Sequence, residues 1–301
     1  MTDIYLRVVG RTDVGNVRTN NEDSLVVADL SGRDHADAAG PECRFNVGDR
    51  GVLLAVSDGM GGLTAGEVAS ALVIEGLPHA LREGRASAPT EDLLDAGVQK
   101  VNAKVWDTAR QRGIRMGATL TAVYVDGPVA WIAEVGDSRA YLIRAGTITQ
   151  LTKDQSLIQE LLDAGALSPE QAANSPHRGV ILQAMGHDPD VSVALARLEL
   201  RARDCLVLCS DGLTTHLSDE DIRNVVLSSA DLTVACHRLV DLAKERGGID
   251  NITVMLGGVD GPLPPPRVSK NDLAETFEVV RRFGGRGERR SQVGTVVQRR
   301  R

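Results

Sequence analysis

No run of about 18 consecutive apolar residues occurs in this 301-residue sequence, so nothing in it reads as a membrane-spanning helix. The N-terminal stretch MTDIYLRVVGR has no apolar signal core either, and a soluble, cytoplasmic protein without membrane insertion is expected. Cysteine is scarce, and the four present (Cys43, Cys205, Cys209, Cys236) never fall at C-x-x-C spacing. Cys205 and Cys209 lie on one face of an apolar run, which predicts reduced core residues rather than disulfides or thiolate metal ligands. No pair of histidines has chelating spacing, which argues against zinc. Repeats of solenoid type are absent.

Positive charge is short in most of the chain. The net charge is −7, yet from Arg267 onward ten Lys/Arg stand against four Asp/Glu, leaving about −13 on residues 1–266. Such an acidic body argues against nucleic-acid binding and suits a protein that collects cations. PLPPPR reads as a linker of polyproline type, so a body of residues 1–260 is expected to precede a linker and basic tail, 261–301. That tail is expected to be largely disordered apart from a short helix at Asn271–Phe283.

Apolar runs predict strands at 5–10, 52–57, 119–125, 129–135, 139–144, 205–210 and 251–257. Turns such as Asp126-Gly127-Pro128 and Ala145-Gly146 join several of them as hairpins, implying antiparallel pairing. Helices are expected from a capping box at Thr64 and Glu67 to about Arg82, after Thr90, after Ser218, and over 230–247. Residues 155–190, broken by Pro169, Pro176 and Pro189, read as short helices outside the main core.

Two of these strands run into the same triplet: GVLLAVSDG carries Asp58, and CLVLCSDG carries Asp211. Asp137 in EVGDSRAYL and Asp250 in GGIDNITVML also stand at strand ends. A lone Asp-Gly there is usually a turn. Four converging acids in a negatively charged body would repel one another unless cations held them. Carboxylate, carbonyl and water ligands favour Mg or Mn, and a glycine at 59 lets its own carbonyl approach an ion. Two such ions, about 3.5–4 Å apart, can share a nucleophilic water. Spacing alone leaves a metal hydrolase, a metal-dependent transferase and a structural ion site all open.

RTDVGNVRTNNEDSL, SDGMGG, GATLTAVYV, AEVGDSRAYLI, LCSDGL and IDNITV, in this order over residues 10–257, closely resemble the metal-dependent protein phosphatases of type 2C. Met60 in DGMGG points to the bacterial branch. The resemblance implies an α+β, four-layer α-β-β-α sandwich, with two mainly antiparallel sheets flanked by helix pairs. It also implies an enzyme hydrolysing phosphoserine and phosphothreonine in proteins with two catalytic Mg or Mn ions. By matching motif positions, Asp58 is expected to bridge the ions, Gly59 to offer its carbonyl, and Asp211 and Asp250 to bind directly. Glu22 and Asp23 are expected to act mostly through water, Asp137 on a third, weaker ion, and Arg18 on the substrate phosphate. No side-chain nucleophile is expected, so Ser57 and Ser210 are read as orienting or packing residues.

The chain departs from the family at two places. Met60 stands where animal members carry a His able to protonate the leaving group, and Asp154-Gln155-Ser156 replaces the usual Asp-His-Ser. His177 is not a substitute. Residues 155–190 correspond to the flap beside the site. The partners implied are phosphorylated proteins and a cognate Ser/Thr kinase, with the chain a monomer. The alternative is a catalytically silent phosphoprotein-binding regulator of the same fold.

Overall fold

The computed structural model describes residues 3–32, 35–36, 40–61, 65–84, 89–267, 272–284 and 297–298. All nine residues of the strand Val52–Met60 are buried, because both of its faces are covered. Val52, Leu54 and Val56 face a second sheet, while Leu53 and Ala55 pack under helices. That double burial explains an unbroken apolar run where a half-exposed strand would alternate.

One sheet has the order Thr147–Gln150, Arg139–Arg144, Cys205–Cys209, Ile252–Asp260, Tyr5–Asp13, Cys43–Asn46. The other runs Phe277–Arg281, Ala194–Glu199, Val129–Val135, Leu120–Asp126, Val52–Met60, Asp23–Asp29, His35–Ala36, with Gly117–Ala118 beside the end of Val52–Met60. Neighbouring strands are antiparallel in both. Leu6, Leu54, Val123, Leu142, Leu206 and Met255 fill the space between the sheets. Ala65–Gly84 and Thr90–Arg112 cover the outer face of the second sheet through Val73, Leu77, Leu94 and Val98. Asp219–Ser228 and Leu232–Glu245 cover the first through Ile222, Cys236 and Leu239. The result is the four-layer α-β-β-α sandwich.

Local chemistry accounts for most helix ends. Ser218 and Asp221 form a reciprocal capping box, Asp231 caps the last long helix at Val234 N, and Gly113 closes Thr90–Arg112 in the left-handed conformation. The capping box expected at Thr64 falls outside the described residues. Cys205, Cys209 and Cys236 are free and buried, and burial pushes each thiol up to about 12. Among the described residues no helix is long and apolar enough to cross a membrane.

The structure corrects the reading of the C-terminal part. A single helix over 271–283 was the expectation; instead one turn, Asp272–Thr276, leads into a strand, Phe277–Arg281. The strand pairs with Ala194–Glu199 at the sheet edge, Leu198 opposite Phe277, with a register shift near Leu195. An available edge outcompetes the weak helical spacing of Leu273, Phe277 and Val280. The anchor is polar. Arg144, 7% exposed, binds both Asp204 carboxylate oxygens at 2.8 and 2.7 Å, Thr276 Oγ1 at 2.8 Å and Asp272 Oδ2 at 3.3 Å. The packed structure therefore continues past the boundary drawn at 260.

Removing one member of a buried ion-pair group leaves uncompensated charge, which costs about 3–5 kcal/mol. Arg144→Met is expected to lower the urea-unfolding stability by about that amount and to expose 272–284 to limited proteolysis. A loss under about 1 kcal/mol with unchanged cleavage would show that the anchor is not Arg144.

Candidate functional site

Strand parity aims Asp58. Val52, Leu54 and Val56 point between the sheets, so Asp58 emerges on that same face where the intersheet core ends. The strand does not stop at 57, where the apolar run predicts its end, but continues to Met60. The second triplet behaves differently. Cys205–Cys209 ends before it, and Asp211 is the first residue of a helical turn, Asp211–Thr214. Identical Ser-Asp-Gly text thus gives a strand in one place and a strand-to-helix corner in the other.

Two glycines are required by close approach. A Cβ on Gly59 would collide with Gly66 O and meet Glu22 O at 2.6 Å, and one on Gly212 would collide with Asn251 O. Both contacts draw neighbouring segments against the acids.

Asp23 lies directly opposite Asp58 across the ladder between Asp23–Asp29 and Val52–Met60. Its Oδ2 accepts hydrogen bonds from Ser210 Oγ and Thr253 Oγ1, each at 2.7 Å. Burial raises the Asp23 carboxyl to about 7; those two hydrogen bonds oppose the shift, while Asp211 and Asp250 add to it. Glu22 is also raised, by burial first, with Arg18 opposing and Asp250 adding. Glu22 Oε1 and Asp23 Oδ1 are buried and accept no hydrogen bond.

A cleft of about 1350 Å³ opens beside this group. Arg18, Asp137, Asp211 and Asp250 line it, together with Arg139 and Arg178. Arg18 Nη2 donates to Asp250 Oδ2 at 2.8 Å. Asp137 is 5% exposed in the turn joining Val129–Val135 to Arg139–Arg144, and Gln155 Oε1 holds that turn by accepting from Gly136 N at 2.8 Å. The structure therefore brings Arg18, Asp137, Asp211 and Asp250 into one cleft, and pairs Asp23 with Asp58 at the neighbouring strand ends.

Three positioning groups carried no signal beyond their motifs. Thr119 clamps Asp58 from both sides: its Oγ1 accepts from Asp58 N and its N donates to Asp58 O, both at 2.9 Å. Asn251 ties the N-terminal loop to the Asp250 corner, accepting from Glu22 N and donating to Val14 O and Asn20 O. Gln155 joins the Asp137 turn to Gln183, whose Nε2 donates to it at 2.7 Å. Ser57 and Ser210 have engaged hydroxyls, the first on Thr119 O at 2.6 Å and the second on Asp23. Met60 is buried against Ile181 and Ala184 at the root of the flap, and His177 is exposed and does not line the cleft.

The donors suit Mg or Mn. They are carboxylates and a backbone carbonyl, and the buried Glu22 Oε1 and Asp23 Oδ1 are otherwise unsatisfied. Among the described residues no three His, Cys, Asp or Glu side chains form a ready-made cage. Hydrated Mg typically takes only one or two carboxylates directly.

The family model for protein phosphatase 2C matches residues 31–256. Serine/threonine protein phosphatase PstP of Mycobacterium tuberculosis is 39% identical over 259 residues, covering 85% of this chain and 45% of that protein. The chain thus spans about half the length of this relative. Serine/threonine phosphatase stp of Listeria welshimeri is 34% identical over 251 residues, covering 82% of this chain and 93% of the relative. Among solved structures, the M. tuberculosis PstP crystal structure superposes with a TM-score of 0.72 at 38% identity, over 85% of this chain and all of that one. A PstP catalytic domain in complex with two manganese ions superposes with a TM-score of 0.70 at 37% identity, over 86% of this chain and 100% of that one. A family match over most of the chain, joined to the same fold at this identity, settles its membership: the chain belongs to the protein phosphatase 2C family.

Proposed function

We propose that this chain hydrolyses phosphoserine and phosphothreonine in proteins, using two Mg or Mn ions and reversing the action of a Ser/Thr kinase. The Arg18–Asp250 pair carries the reading, because it sets a guanidinium beside the acid group at the mouth of the cleft. Asp58, Asp211, Asp250 and the Gly59 carbonyl would hold the two ions. Glu22 and Asp23 would act mostly through water, and Asp137 on a third ion. Bound there, the ions supply a water made nucleophilic near neutral pH and neutralise charge on the phosphoryl oxygens.

The protein's own groups do the rest. Arg18 presents two parallel N–H donors to a phosphate dianion. Asp250 holds that guanidinium at the cleft mouth before substrate arrives. Thr119 fixes the backbone of Asp58, and Asn251 fixes the loop bearing Arg18 and Glu22. The engaged hydroxyls of Ser57 and Ser210 suit direct attack by water, with no phosphoenzyme. Met60 is apolar and packed into the flap root, so leaving-group protonation is assigned to no side chain.

Release of phosphate from p-nitrophenyl phosphate and phosphothreonine peptides is expected to require Mg or Mn. Asp58→Asn and Asp211→Asn are expected to reduce kcat about 100-fold or more with circular dichroism unchanged. Full wild-type turnover in excess chelator would refute metal-dependent hydrolysis. Arg18→Ala is expected to raise the peptide KM about 10- to 100-fold, since a hydrogen bond to a charged group contributes about 1.5–3 kcal/mol. An unchanged KM would place the phosphate grip elsewhere.

A further inference from the structure

A second cavity, of about 420 Å³, shares Asp154 and Ser156 with the catalytic cleft. Its inner wall is apolar, with Ile132, Leu151 and Ala194, and Phe277, Val279 and Phe283 of the C-terminal segment close it. One acid lines it. Glu134, 3% exposed, accepts from Lys153 N through Oε2 at 3.1 Å, while Oε1 is buried and accepts no hydrogen bond.

Of the nearby cations, the exposed Arg282 lines the cavity and acts on Asp163, and the others are engaged in pairs. Lys153 pairs with Asp163, Arg281 with Asp95 at 2.7 Å, and Arg139 with Asp154 through two hydrogen bonds at 2.8 and 2.7 Å. Among the described residues no ion pair includes Glu134. Burial pushes its carboxyl well above the usual range; the Lys153 N–H opposes this, and Asp154 and Asp137 add to it. A buried carboxyl with one unsatisfied oxygen destabilises the fold. A hydrophobic residue would suit this wall better, so stability does not explain the acid.

We propose that this cavity binds a small organic monocation, an amine with a short apolar body, whose ammonium is received by Glu134. The volume is at the lower end of the roughly 300–1,000 Å³ of small-molecule pockets. An ammonium brings three donors and no acceptor, and its charge beside Glu134 favours the ionised, acceptor-only carboxylate. The apolar body lies against Ile132, Leu151 and Phe277. Gln155 cannot be the receiving group, because its Oε1 already accepts from Gly136 N and Gln183 Nε2.

Position links this cavity to the cleft. Asp154 holds the cleft residue Arg139, and Ser156 caps the first flap helix, Leu157–Asp163, by accepting from Gln159 N at 3.2 Å. An occupant therefore touches the segment from which the flap departs.

The test titrates phenethylamine into the full chain in saturating Mg, followed by amide 1H–15N NMR. The amides of Lys153, Gln155 and Ser156 are expected to shift, with a Kd of about 1 mM or tighter. 2-Phenylethanol and phenylacetate, which share the ring but lack the cation, are expected to bind at least about tenfold more weakly. Glu134→Gln keeps the shape and is expected to weaken phenethylamine at least about tenfold. Ala194 pairs with Glu134 across the ladder, so Ala194→Leu fills the cavity with the acid intact and is expected to abolish the shifts. Ala194→Leu decides the matter if Glu134→Gln fails to fold. The proposal is overturned by no shift in the wild type, by equal affinity in either variant, by preference for phenylacetate, or by shifts confined to Arg18 and Asp250.

Discussion

Carboxylate crowding at the end of the intersheet core is the constraint around which the site is built. Asp23 and Asp58 face each other in register on adjacent strands, and Asp211 and Asp250 act on Asp23 from just beyond strand ends of the other sheet. Water cannot relieve this repulsion where Asp23 and Asp58 are each only 7% exposed. Donors from two strands share the load: Ser210 leaves the end of Cys205–Cys209, and Thr253 sits in Ile252–Asp260. Both point at the same Asp23 oxygen, which leaves the other buried and unsatisfied. Hydrogen bonds alone therefore do not balance the site, and a divalent cation is the natural remainder.

That remainder gives the scaffold its form. Nine buried residues in Val52–Met60 hold the end of the strand rigidly, and Thr119 grips Asp58 on both its N–H and its carbonyl. Thr119 Oγ1 also lies 2.7 Å from Ser138 Oγ, beside Asp137. One threonine thus connects the central acid to the turn bearing another. Precision comes from short polar links between strands packed on both faces, which is how a site stays positioned to within a fraction of an ångström.

Much of this was legible in the sequence because the acids follow apolar runs whose burial can be read directly. Period-2 parity even predicts the side from which Asp58 emerges. Local text could not distinguish the two Ser-Asp-Gly triplets, since the helical turn at Asp211 packs closely on a distant segment, with Asn251 O against Gly212. The strand Asp23–Asp29 went unread for a related reason. Its first residues look like polar loop, and only pairing with Val52–Met60 makes them strand. Phe277–Arg281 likewise has exposed valines at 43% and 36%, and takes its form from the edge it joins. Roles carried by Thr119, Asn251 and Gln155 depend on long-range partners that no spacing rule reveals.

The two departures from the family pattern, Met60 and Gln155, acquire physical meaning together. Met60 packs with Ile181 and Ala184, and Gln155 receives Gln183 while its own carbonyl accepts from Leu182 N. Both residues therefore fasten the flap root to the strand ends that carry the acids, one by packing and the other by hydrogen bonds. Gln155 Nε2 also donates to Glu134 O, so the same fastening reaches the wall of the second cavity. Beyond it, Phe277 and Val279 belong to a segment held by Arg144, which turns the C-terminal part from a simple linker into a structural wall. Two hydrogen bonds join that wall to the flap, Gln155 Nε2 to Glu134 O and Gln183 Nε2 to Gln155 Oε1.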